Sequence, residues 1–222
     1  ENMAIDGTKF NRPSRGAEIA NSISHGLGAS LAIGGTPVLI VWAARHGDAL
    51  SVVSASLYGA SLILLYLFST LYHAITNRSG KRVLQVFDHS SIFLLILGTY
   101  IPVCLGLLRG WLGWTLFGIN VAVAVVGITL NAISVRRFHK ISLVLYLLSG
   151  WSVLPAIKPV AALLDWRGFV LVLAGGLFYT VGVIFYRKEE VRYMHLVWHL
   201  FVLAGSLCHY FFVLFYCLNG PI

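Results

Sequence analysis

A chain of 222 residues that is 58% hydrophobic and 11% charged carries more apolar surface than a soluble domain of its size can bury, which excludes an ordinary soluble fold and indicates an integral membrane protein. The net charge of +8 does not read as a nucleic-acid surface, because the Lys and Arg residues lie in the joints between apolar runs and mark a basic membrane face. Cys104, Cys208 and Cys217 form no CxxC pair and sit within or at the end of apolar runs, so they read as small buried hydrophobes.

Residues 1–17 are polar and include Lys9, Arg12 and Arg15; they are expected to form a flexible cytosolic arm ahead of a transmembrane domain over residues 18–218. No cleavable signal peptide is expected, since the first apolar run opens with EIANSISH and continues past Pro37 to Trp42. Seven spans follow, most of them near the ~20 residues that cross a bilayer. The first runs from Glu18 to Ala44, the second from Ser51 to Ile75 and the third from about Val83 to Leu108. Trp111 and Trp114 anchor a fourth that ends near Val135, and RRFHK is read as a loop. The fifth covers Ile141–Ile157 and is bounded by Pro155 and Pro159; the sixth covers Phe169–Tyr186 and the seventh Tyr193–Leu218.

Seven spans place the termini on opposite sides. The arm and the joints after spans two, four and six hold twelve of the sixteen Lys and Arg residues, whereas the other side holds Arg45, Arg109, Lys158 and Arg167. The positive-inside rule therefore puts the N-terminus in the cytosol and the C-terminus outside. The fold class expected is an all-α, seven-helix transmembrane bundle in a cell membrane.

That topology gathers polar residues at one depth. His73 ends span two, Asp88 and His89 begin span three, His195 and His199 begin span seven, and Glu18, Asn21 and His25 begin span one. Ionisable side chains at membrane depth are functional candidates by default. His195 and His199 are four apart and share a helix face, as do Ser69 and His73. Three neutral imidazoles and a water make a tetrahedral site suited to Zn²⁺. A carboxylate beside it, with Asp88 the natural choice, could hold the water and take its proton, and Ser69 could orient a substrate carbonyl. His209 lies ten residues past His199, roughly 15 Å along a helix, and is left out of the ligand set. Other readings of the same residues stay open. The HxxxH pair could serve interhelical hydrogen bonding, Ser69 helix packing, and Asp88, Glu18 and Asn21 helix capping. His89 reads as interfacial, and His46 and His139 lie in loops.

ExxNxxxH (Glu18, Asn21, His25), SxxxH followed by Asp (Ser69, His73, Asp88) and HxxxH (His195, His199) resemble the motifs of the hemolysin III-like branch of the progestin and adipoQ receptor family, and more distantly the alkaline ceramidases. The resemblance runs from Glu18 to about Cys217, and the short arm is similar to the compact bacterial members. It implies seven helices with a cytosolic N-terminus, zinc held by His73, His195 and His199, Asp88 reaching the metal through water, and hydrolysis of a ceramide-like lipid amide. The first expectation is thus an intramembrane zinc hydrolase of a lipid amide or ester, with Asp88 and Ser69 catalytic and a membrane lipid as substrate. The alternatives are a membrane-homeostasis regulator with structural zinc and a pore-forming hemolysin.

Overall fold

The computed structural model of the chain describes residues 14–188 and 190–219, and every regular element among them is helical. In chain order these are α1 (Arg15–His46), α2 (Ala49–Ala74), α3 (Arg78–Pro102), α4 (Trp111–Gly150), α5 (Ile157–Ala162), α6 (Trp166–Tyr186) and α7 (Met194–Phe212). α3 and α7 continue into single π-helical turns, Val103–Leu107 and Val213–Cys217. Among the described residues, six stretches are long and apolar enough to cross a membrane: α1, α2, α3 with its turn, α4 together with α5, α6, and α7 with its turn.

Side-chain caps fix where these helices start. Ser14, Asp48, Asn77 and Asp165 accept from the backbone N–H groups of Ala17, Ser51, Gly80 and Gly168, which have no partner inside the first turn. Two boundaries expected from the sequence shift as a result. Of the arm expected over residues 1–17, residues 1–13 lie outside the described residues, and Arg15–Ala17 already belong to α1 because Ser14 caps it. The third helix begins at Arg78, not Val83, because Asn77 caps it there.

The helices turn many large apolar side chains outward and bury polar ones among apolar ones inside, which suits lipid surroundings. α1 exposes Ile19, Ile23, Leu27 and Leu31 and buries Asn21, His25 and Gly28 on its other face. Gly28 is a position where only glycine fits, because a Cβ there would lie 2.5 Å from a ring carbon of Tyr66. That absence lets α1 and α2 approach closely.

The largest departure from expectation is α4. RRFHK is not a loop: the helix resumes through it, and the second arm ends at Gly150, not Ile157. The break is at Ser134, whose backbone is extended (φ −170°, ψ 107°) and whose Oγ accepts from the Arg137 N–H to restart the helix. The two arms fold back on each other. Ser149 Oγ donates to Asn120 Oδ1, Asn120 Nδ2 donates to Ser152 Oγ, and Ser142 Oγ donates to Asn131 Oδ1. In a straight helix Asn120 and Ser149 would be about 44 Å apart, so these bonds require a hairpin.

Packing runs α1 on α2, α2 on α3 and α3 on α4, while α6 packs on α7 and α7 returns to α1, closing the bundle. At the end of the bundle away from His73, Asp48 joins two connections: it caps α2 through Ser51 N (2.9 Å) and accepts from Arg109 Nη2 (2.8 Å). The Ser51 N–H and then the Arg109 guanidinium hold its carboxyl down at about 2. A depressed native pKa contributes stability above the unfolded value near 4 that is lost as pH falls through about 2. Asp48→Ala is expected to lower the thermal midpoint of the detergent-solubilised protein by about 2–4 °C at neutral pH. Asp48→Asn, which keeps a capping oxygen, is expected to fall between the two in the same melt.

Candidate metal centre

Three imidazoles from two helices converge where the bundle closes. His73 comes from the last turn of α2, and His195 and His199 from the start of α7. Their ring centroids are 5.1 Å (His73–His195), 5.0 Å (His73–His199) and 4.7 Å (His195–His199) apart. One ring nitrogen from each lies within 4.8 Å of the other two, with His73 and His199 buried and His195 partly buried. Such a group could hold a metal ion. α7 is entered through Tyr193, which has φ 65°, a left-handed conformation uncommon for residues other than glycine.

Hydrogen bonds fix which nitrogen faces the cluster. Glu18 Oε2 lies 2.6 Å from His73 Nδ1, and a carboxylate can only accept, so the proton sits on Nδ1. In the neutral ring it is then Nε2 of His73 that carries the lone pair; that atom is buried and has no hydrogen-bond partner among the described residues. His199 Nδ1 likewise donates to the carbonyl of Asn21 (3.2 Å), with Ser24 Oγ at 3.1 Å, so its Nε2 carries the lone pair. This is the arrangement in which partners behind the ring orient metal-binding histidines. The other oxygen of Glu18 accepts from Lys81 Nζ at 2.6 Å, and Lys81 in turn lies over the Tyr72 ring.

The capping alternatives for the carboxylates do not survive. Asp88 sits eleven residues past the Asn77 cap of α3, and Glu18 spends both oxygens on His73 and Lys81 while Ser14 caps α1. Asn21 is buried within α1. Asp88 is not one of the three clustered residues. It lines, with Ser69, His25, His89, His195 and His199, a cavity of about 130 Å³. Ser69 is buried there on the His73 face of α2. The cavity continues along the bundle past Leu95, Ile96, Leu143 and Leu147 to His209, roughly 15 Å beyond His199 along α7. His209 Nε2 donates to the Val172 carbonyl, and its ring fills the space left by Gly175, so it stands apart from the cluster.

The roles of Glu18 and of the Asn21 carbonyl were missed in the sequence. The ExxNxxxH face was visible, but nothing in one helix tells which neighbour its carboxylate will meet. For a metal held by this cluster the carboxylate behind His73 would add to ligand basicity, and Glu18→Ala is expected to weaken the binding of added Zn²⁺ about 10–100-fold. Competition with a chromophoric chelator measures this, and unchanged helicity by circular dichroism separates it from unfolding.

A sequence model of the family described as "Haemolysin-III related" matches residues 14–210. "Hemolysin-3" of Bacillus cereus is 49% identical over 201 residues, covering 90% of this chain and 92% of that protein. "Hemolysin-3 homolog" of Bacillus subtilis (strain 168) is 46% identical over 204 residues, 92% of this chain and 96% of that protein. Human "Monocyte to macrophage differentiation factor" is more distant, at 26% over 184 residues, 78% of this chain and 74% of that protein. The resemblance carried by the three motifs therefore holds across nearly the whole helical region, and the chain belongs to the haemolysin-III related family.

Proposed function

We propose that this membrane protein is an intramembrane zinc hydrolase of a lipid amide or ester. The observation that carries the reading is that two of the three clustered histidines, His195 and His199, line a cavity that also presents a carboxylate, Asp88, and continues between apolar walls. The donor set suits the ion: three imidazoles, two of them with hydrogen-bond partners behind the ring, and a buried His73 nitrogen with no hydrogen-bond partner among the described residues. Zinc held by His73, His195 and His199 would polarise a carbonyl and make a water molecule more acidic.

The protein's own groups supply the rest. Asp88 accepts the proton lost by the attacking water and returns it to the leaving nitrogen or oxygen, so that water adds to the carbonyl carbon and the amide or ester bond breaks to acid plus amine or alcohol. Ser69 directs its hydroxyl at the substrate carbonyl. Leu95, Ile96, Leu143 and Leu147 hold the hydrocarbon chain and exclude bulk water. A purely structural metal would leave Asp88 and the cavity without a purpose. A pore requires a continuous polar path, and against it stands a bundle interior filled by Leu39, Tyr58, Leu62, Phe212 and Leu218.

The reading extends to topology. The α4 hairpin supports seven crossings in place of six, and the charge distribution then supports a cytosolic N-terminus and a metal centre near the inner face of a bacterial plasma membrane. Reporter fusions that are active only in the cytosol are expected to work at the N-terminus and fail at the C-terminus.

Asp88→Ala is expected to retain zinc and lose about 10²–10⁴-fold in turnover across a panel of lipid amides and esters. His195→Ala is expected to lose both zinc, by metal analysis of the purified protein, and turnover. Undiminished turnover in Asp88→Ala would falsify the mechanism.

A further inference from the structure

One buried titratable side chain beside the metal centre has no task in this mechanism. His25 of α1 is 4% exposed, its ring lies parallel to that of His199 (centroids 3.5 Å apart, planes 11° apart), and Tyr66 packs edge-on against it at 5.1 Å. Neither Nδ1 nor Nε2 has a hydrogen-bond partner among the described residues. An imidazole carries at least one N–H in every protonation state, and the only acceptor near this one among the described residues, the backbone of His199, does not reach hydrogen-bond geometry, so a buried donor is left poorly satisfied, a condition that native interiors generally avoid.

The stacking rules out the simplest remedy. A metal ion sits close to the plane of the imidazole that binds it, because the nitrogen lone pair lies in that plane. Two nearly parallel rings 3.5 Å apart cannot both aim in-plane lone pairs at one ion. His25 is therefore not a fourth ligand alongside His199. It faces the same cavity as Asp88 and Ser69.

We propose that His25 is a ligand-positioning residue, whose ring N–H donates a hydrogen bond to the carbonyl oxygen of the acyl chain seated in the cavity. This rests on the lipid amide or ester reading above. The missing acceptor is then supplied by the ligand, and the stack on His199 holds the donor beside the metal centre without engaging the metal.

The test reads binding, not turnover. In an Asp88→Asn background, a single-chain N-acyl amide carrying a fluorophore on its amine side is titrated in detergent micelles, beside the matching alkylamine that lacks the carbonyl. Zinc per protein is measured in parallel. His25→Phe, which keeps a stacking ring without a donor, is expected to bind the amide at least tenfold more weakly, to bind the alkylamine as the parent does, and to keep full zinc. His25→Gln, which restores an N–H, is expected to recover most of the amide affinity. His25→Leu serves as the donor-free comparison if the phenyl ring does not fold in. Equal amide affinity with and without the donor overturns this assignment and leaves the hydrolase reading standing. Loss of zinc in His25→Phe overturns it by assigning the ring to the metal set. With the matching ester added to the titration, failure of the Asp88→Asn parent to bind either the amide or the ester sinks both.

Discussion

The site depends on Glu18 standing between a cation and an imidazole. A carboxylate alone inside a helical bundle is strongly disfavoured, as is an unmatched imidazole. Glu18 resolves both by accepting from Lys81 of α3 and from His73 of α2 at once. That chain of contacts joins three helices, fixes the His73 tautomer and turns a lone pair toward the α7 histidines. The geometry of the cluster therefore follows from a charge-pairing requirement at one level of the bundle, and the packing of α1 against α2, made possible by the bare backbone of Gly28, is what allows the pairing.

Much of this was legible in the chain itself. The four-residue spacing of His195 and His199 and the placement of His73 at a helix end were enough to bring the three together, because helical periodicity and apolar run length are the two most robust signals in a membrane sequence. Less legible was anything set by helix rotation. Glu18 and Asn21 read equally well as caps until α1 was seen to face α2 and α7, with Ser14 doing the capping. Asn77 as the start of α3 settled the same question for Asp88. Neither answer is contained in the spacing of one helix.

The joint at RRFHK shows a different limit. Its basic residues read as a loop, yet they continue a helix whose only non-helical residue is Ser134. Arg and Lys are good helix formers, and a single serine that can restart a helix with its own side chain needs no run of glycine or proline to reverse direction. The polar residues that hold the reversal, Asn120 against Ser149 and Asn131 against Ser142, are spread over some thirty positions and become meaningful only once the arms lie side by side.

The seam between α1 and α7 has a consequence for biogenesis. The bundle closes where its first helix meets its last, and two of the three clustered histidines arrive on that last helix. During synthesis the Glu18–His73–Lys81 group can already be paired once three helices have entered the bilayer, while the remaining imidazoles are still on the ribosome. The three-histidine cluster accordingly cannot be completed before α7 is in place, and a truncated chain ending before Met194 retains the carboxylate and its partners but never the full set of rings.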